Sequence, residues 1–99
     1  MTRERQGGWV YIMANRYRGR MYVGVTSDLA ARAHQHRTGT GSAYCAEHGV
    51  TRLVWADYGE DILDCIAHEK RLKCWRRAYK FDLIEHANPD WRDLFDDLA

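Results

Sequence analysis

Two short apolar runs, Trp9-Val10-Tyr11-Ile12-Met13 and Met21-Tyr22-Val23-Gly24-Val25, flank a polar segment, Ala14 to Arg20, that contains Asn15 and Gly19. Both runs are rich in aromatic and β-branched residues, so each reads as a strand. The link between them carries turn-forming residues, so the pair reads as an antiparallel hairpin with a longer loop. Outward from this hairpin, Thr26, Ser27 and Asp28 offer N-cap chemistry ahead of a helix over Leu29 to Thr38, and Gly39 supplies its stop. Thr40 to Gly49 is small and polar and reads as a loop. Arg52 to Tyr58 reads as a third strand.

From Asp61 the period becomes helical: Ile62, Ile66, Glu69, Leu72 and Arg76 follow three- and four-residue steps as far as Trp75 or Tyr79. Phe81, Leu83, Ile84 and Ala87 predict a further short helix ending at Asn88-Pro89, because proline cannot extend it. Trp91, Leu94, Phe95 and Leu98 form a last amphipathic stretch. The order β-β-α-β-α-α predicts an α+β sandwich, a three-stranded antiparallel sheet flanked by helices.

With 99 residues, 45% apolar and 29% charged, one Pro and eight Gly, the chain is expected to form one domain over 1–99 with its core at about 8–94. The composition excludes disordered and collagen-like chains. No apolar run approaches the roughly 20 residues of a membrane helix. None behind Met1 to Gln6 has the length of a signal peptide, so a cytoplasmic address and no membrane partner are expected. Cys45, Cys65 and Cys74 are too few and too scattered for a disulfide scaffold, and reduced thiols are expected.

The net charge of +1 conceals two basic segments. Arg3, Arg5, Arg16, Arg18, Arg20, Arg32 and Arg37 form the first, and Lys70, Arg71, Lys73, Arg76, Arg77 and Lys80 the second. Acids cluster elsewhere, at Asp57 to Asp64 and Asp90 to Asp97. Two basic segments brought to one face would bind phosphates; apart, they are solvated helix faces.

Tyr11 and Tyr22 sit at the middle of the two hairpin strands, where their hydroxyls would converge if both side chains point to one face. As plain structure they are amphipathic core-edge residues. Arg32 and His36, four residues apart, share one helix face with Leu29; they act together at the sheet or are a surface cation and a surface histidine. Glu69 falls on the apolar stripe of Ile62, Ile66 and Leu72. A carboxylate there needs a metal or a cationic partner, Lys73 at i+4 or Arg76, to offset a desolvation cost of roughly several kcal/mol. Two Cys-x2-His pairs, Cys45/His48 and Cys65/His68, have the donor number of a structural zinc site, although the second lies within a continuous helix. Trp55, Trp75 and Trp91 read as core or core-edge residues, with stacking on a base as the alternative.

Val10-Tyr11-Ile12, then Tyr22-Val23-Gly24, Arg32 and His36 on a helix, Glu69 on a second helix and Asn88 near the end together resemble the GIY-YIG nuclease superfamily. The pattern is most similar to its small stand-alone bacterial members, a likeness also carried by Glu69-Lys70-Arg71-Leu72-Lys73, Trp75-Arg76-Arg77 and Asn88-Pro89. Trp9 stands where the name-giving glycine would be, and Val10 and Val23 replace isoleucines.

The resemblance implies a divalent-metal-dependent endonuclease that hydrolyses phosphodiester bonds in DNA, with RNA left open as a partner and DNA repair or recombination as the expected setting. Glu69 would be the sole protein ligand of one Mg²⁺ or Mn²⁺. Arg32 would neutralise charge on the scissile phosphate. Tyr11 would accept or relay the proton of the attacking water, with Tyr22 orienting water or phosphate. His36 is the second candidate for the base, and its reference pKa near 6.5 suits that task better than a phenol near 10. Asn88 would hold the site by hydrogen bonds, and Gly24 would permit close backbone approach. The six cations from Lys70 to Lys80 would contact phosphates. The alternatives are a nucleic-acid-binding module with little catalytic power and, third, a protein-interaction domain using the acidic tail.

Overall fold

The computed structural model describes residues 6–98; Arg3 and Arg5 of the first basic segment lie outside the described residues. Strands β1 (Gly8–Ala14), β2 (Met21–Thr26) and β3 (Arg52–Gly59) form one antiparallel sheet with β1 in the centre. Helices α1 (Leu29–Thr38), α2 (Ala43–His48), α3 (Ile62–Cys74) and α4 (Arg77–Ala87) cover both faces. A central strand buried on both sides explains why β1 is apolar at nearly every position rather than alternating.

The period-two geometry of β1 sends its side chains into two different cores. Val10, Ile12 and Ala14 pack with Val23, Cys65, Leu72, Ile84 and Trp91 beneath α3 and α4. Tyr11 and Met13 pack on the other face with Leu29 and Ala33 of α1, Cys45 of α2, and Val50 and Leu53. The register of β3 slips by one residue between Ile12 and Met13, so that Ile12 pairs with Trp55 while Met13 pairs with Leu53. Val54 is the extra residue of this bulge, and Val54 and Trp55 both join the first core.

A bulge leaves main-chain groups without ladder partners, and the segment after α4 supplies them. Asn88 Nδ2 donates to the Val54 carbonyl at 3.0 Å. Leu94 N donates to the Leu53 carbonyl at 2.7 Å, and Leu53 N donates to Asp93 Oδ1 at 3.2 Å. The tail therefore wraps the outer edge of β3, from Trp91 in the first core to Leu94, Phe95 and Leu98 against the second.

Three local details differ from the sequence reading. The predicted loop at Thr40 to Gly49 contains α2, capped by Ser42, whose side chain accepts from Cys45 N, and closed by Gly49 at φ 63°. Only Cys45 of this helix is buried, so it has no apolar stripe to announce it. The α3 helix stops at Cys74, because Trp75 and Arg76 are both extended, and α4 starts at Arg77, before the predicted Phe81. In the last stretch only Phe95–Leu98 is helical, as a single 3-10 turn.

Candidate active site

The cross-strand register decides where the two tyrosines meet. Tyr11 pairs with Gly24, and Met13 pairs with Tyr22, so the tyrosines are diagonal neighbours on one face with ring centroids 6.4 Å apart. Gly24 is what lets Tyr11 lie across β2: a β-carbon at that position would overlap the Tyr11 hydroxyl and the ring carbon that bears it.

The α1 helix brings the third ring. Asp28 caps it by accepting from Ala31 N, and Gly39 closes it in a left-handed conformation at φ 80°. Leu29, Ala33 and His36 are its buried stripe, placing the imidazole over the tyrosines. His36 is fully buried, and its Nε2 shares a hydrogen bond of 2.9 Å with the Tyr11 hydroxyl. The ring centroids of Tyr22 and His36 are 5.2 Å apart. On its far side, Nδ1 has no hydrogen-bond partner among the described residues and faces Gly41, where a β-carbon would approach it to 2.9 Å. The packing role of Gly41 was not readable from the sequence, where it is one of several small loop residues.

Burial governs the electrostatics. Desolvation raises the Tyr11 phenol well above its ordinary value, Tyr22 adds to the shift, and the positive charge of Arg32 opposes it. Desolvation, followed by Arg32, lowers His36 below its ordinary value, so the imidazole is neutral at pH 7. Arg32 itself is half-buried on α1; its main chain donates to the Asp28 carbonyl, and its guanidinium has no hydrogen bond or ion pair with a side chain among the described residues.

Glu69 reaches this region from the opposite face. It lies on α3, which packs over β1 and β2, and its negative charge adds the smallest contribution to the Tyr11 shift. Its side chain is 13% exposed, and a carboxylate oxygen lies 2.9 Å from Lys73 Nζ. This is the i+4 partner considered from the sequence. Such a pair contributes only about 0.3–0.5 kcal/mol, so a divalent cation can displace the half-exposed ammonium. Among the described residues no three His, Cys, Asp or Glu side chains cluster as a metal-binding group. The donor set thus fits a hard, water-rich ion held by one carboxylate and does not fit a four-ligand centre. The zinc alternative fails on geometry, since Cys45 and Cys65 are buried in cores on opposite faces of the sheet.

The remaining expected residues lie away from the aromatic cluster. Asn88 is buried and spent on the tail, donating to the Val54 and Arg92 carbonyls and accepting from Arg92 N. Of the second basic segment, Lys70, Arg71 and Arg76 are exposed and Lys80 is half-buried. Lys73 holds Glu69, and Arg77 donates to the carbonyls of Arg18 and Gly19, tying the β1–β2 loop to α4. Arg18 completes that clasp through two hydrogen bonds to Glu85 at 2.8 and 3.0 Å.

Residues 7–82 match the model of the GIY-YIG catalytic domain. The chain belongs to the GIY-YIG family. GIY-YIG catalytic domains form a nuclease superfamily that acts on nucleic acid and typically uses a divalent metal. Curated relatives are small proteins called UPF0213 protein. That of Aeromonas salmonicida strain A449 is 31% identical over 88% of this chain and 63% of the relative. That of Lacticaseibacillus paracasei is 31% identical over 75% of this chain and 83% of the relative, and that of Pectobacterium carotovorum is 27% identical over 78% of each. No solved structure matches the chain. No helix among the described residues is long and apolar enough to cross a membrane.

Proposed function

We propose that this GIY-YIG chain is an endonuclease that hydrolyses phosphodiester bonds in DNA with one Mg²⁺ or Mn²⁺ ion at Glu69. The observation that carries the reading is the 2.9 Å hydrogen bond between Tyr11 and a fully buried His36, set beside the half-buried Arg32, whose guanidinium no carboxylate among the described residues neutralises. An unpaired cation next to a proton-accepting pair suits an anionic ester that must be attacked by water.

Bound at Glu69, the ion would supply positive charge to a phosphate oxygen. Arg32 binds the same phosphate and offsets the charge that develops on it. Tyr11 does not ionise at neutral pH, since burial raises its pKa, and so it does not act as a preformed phenolate. His36 is neutral for the converse reason and is able to take a proton at Nε2. The two therefore work in series: the attacking water gives its proton to the Tyr11 oxygen as the Tyr11 proton passes to His36 Nε2. Tyr22 orients the water or the phosphate beside them.

The reading is tested by a cleavage screen of purified protein on duplex, single-stranded and branched DNA and on RNA, with and without Mg²⁺. Metal-dependent nicking that Tyr11→Phe abolishes is the expected result. The pairing of Glu69 with Lys73 favours one second reading, a DNA-binding module with little activity. Metal-independent binding without nicking would establish that alternative.

A further inference from the structure

The residues at the α3–α4 junction form a surface that the aromatic cluster does not use. Trp75 is 43% exposed and Tyr79 56% exposed, although both are large aromatic residues. With Leu83 they make the wall of an open, largely apolar groove of about 460 Å³ along α4, with Asp82 and His86 on its lining. Tyr79 and Leu83, four residues apart within α4, share one helix face, and Trp75, at the extended junction before α4, lines the same groove. In sequence, Arg76 follows Trp75, Lys80 follows Tyr79 and Lys73 precedes Trp75 by two residues, so three cations flank the groove's aromatic residues along the chain without lining it.

We propose that this groove binds an unpaired nucleobase of a single-stranded DNA segment, stacked on Trp75 and Tyr79, with the flanking phosphates on Lys73, Arg76 and Lys80. Every base has a π face, so an aromatic platform bordered by cations takes single strands without a sequence code. The Asp82 carboxylate in the groove repels phosphate, which assigns the groove to the neutral base and the cationic row to the backbone. A paired base keeps its faces inside the duplex and cannot enter. Glu69 lies five residues before the end of α3 at Cys74, about 7.5 Å along the helix axis, and Trp75 follows directly, so a base held there is within a few nucleotides of the proposed metal. The inference rests on the nuclease reading and adds to it a preference for substrates with an unpaired stretch beside the scissile bond.

The test is fluorescence anisotropy of the full chain, in EDTA so that nothing is cut, against a labelled 12-nucleotide single strand and the blunt duplex of the same sequence. Trp75→Leu and Tyr79→Leu keep the apolar bulk and remove the π face. Each should weaken single-strand binding by about 5- to 150-fold, leave duplex binding within about twofold, and leave the salt dependence of log K unchanged, because stacking releases no counterions. Trp75→Tyr should retain most of the affinity. Equal losses on both probes, or no loss in either leucine variant while wild type binds normally, would overturn the groove assignment alone. Light scattering showing a wild-type dimer that the leucine variants dissolve would overturn it in favour of a second copy as occupant. Failure of wild type to bind either probe would overturn the nucleic-acid reading and this inference with it.

Discussion

Tyr11 lies across its cross-strand partner Gly24, with its phenol in the space a side chain there would fill. Gly24 has no left-handed backbone conformation to protect, so its requirement is spatial. Gly24→Ala should therefore cost about 1–3 kcal/mol by overpacking and also displace the Tyr11 hydroxyl from His36. Urea denaturation measures the first effect and the nicking rate of the folded fraction the second. Wild-type values for both would show that Tyr11 does not need this glycine.

If Tyr11 and His36 carry one proton in series, their losses should not add. Tyr11→Phe should lower the cleavage rate by at least about a hundredfold, the scale of a lost general base, and His36→Ala should match it. The double variant should be little worse than the poorer single one. Multiplicative losses in single-turnover kinetics would mean that the two act on separate steps.

Burial and Arg32 hold His36 below its ordinary value, and this makes stability depend on pH with a definite sign. An unfolded chain takes up the His36 proton near pH 6.5, whereas the folded chain resists it until the pH is lower. Stability from the neutral ring is complete above that value and is lost as pH falls through it toward the folded pKa. Melting curves from pH 7.5 to 5 should show a steeper decline in wild type than in His36→Gln. Parallel declines would place the pH dependence elsewhere.

Glu69→Gln should remove metal-dependent cleavage with the fold intact and DNA binding retained. Lys73→Met, which releases the carboxylate from its ion pair, should lower the Mg²⁺ concentration at half-maximal rate while changing stability by less than about 0.5 kcal/mol. An unchanged metal requirement would separate Lys73 from the metal site.

The cations between Lys70 and Lys80 divide into two groups with different readouts. Removing Lys70 or Arg76, which are exposed, should flatten the slope of log K against log salt by about 0.9 for each lost phosphate contact. Removing Arg77 should instead cost about 1 kcal/mol of stability for each hydrogen bond lost to the Arg18 and Gly19 carbonyls, with the slope kept. A slope change in Arg77→Ala would return it to the DNA-contacting set.

The sheet, the hairpin and α1 were legible because each is marked by periodicity and by caps: Thr26 to Asp28 and Gly39 bound α1 at Leu29–Thr38 as read. The pairing of Glu69 with Lys73 was one of the alternatives that helical spacing offered. Less legible were features set by long-range register. Nothing local says that β3 carries an extra residue at Val54, or that Asn88 is needed to satisfy its carbonyl. Nor does the sequence say that Trp75 stays at the surface while Trp91 is buried, since that follows from the break between α3 and α4.

The wrapping of β3 by residues 88–95 also governs how copies of this protein meet. With that edge closed by Asn88, Asp93 and Leu94, the open rim of the sheet is β2, whose outer main-chain groups receive no hydrogen bond from another segment among the described residues. A strand recruited from a neighbouring molecule would therefore add at β2, against Tyr22 and Gly24. Aggregation through the sheet and loss of access to Tyr22 would be one event, so a preparation that self-associates this way should lose turnover before it loses secondary structure.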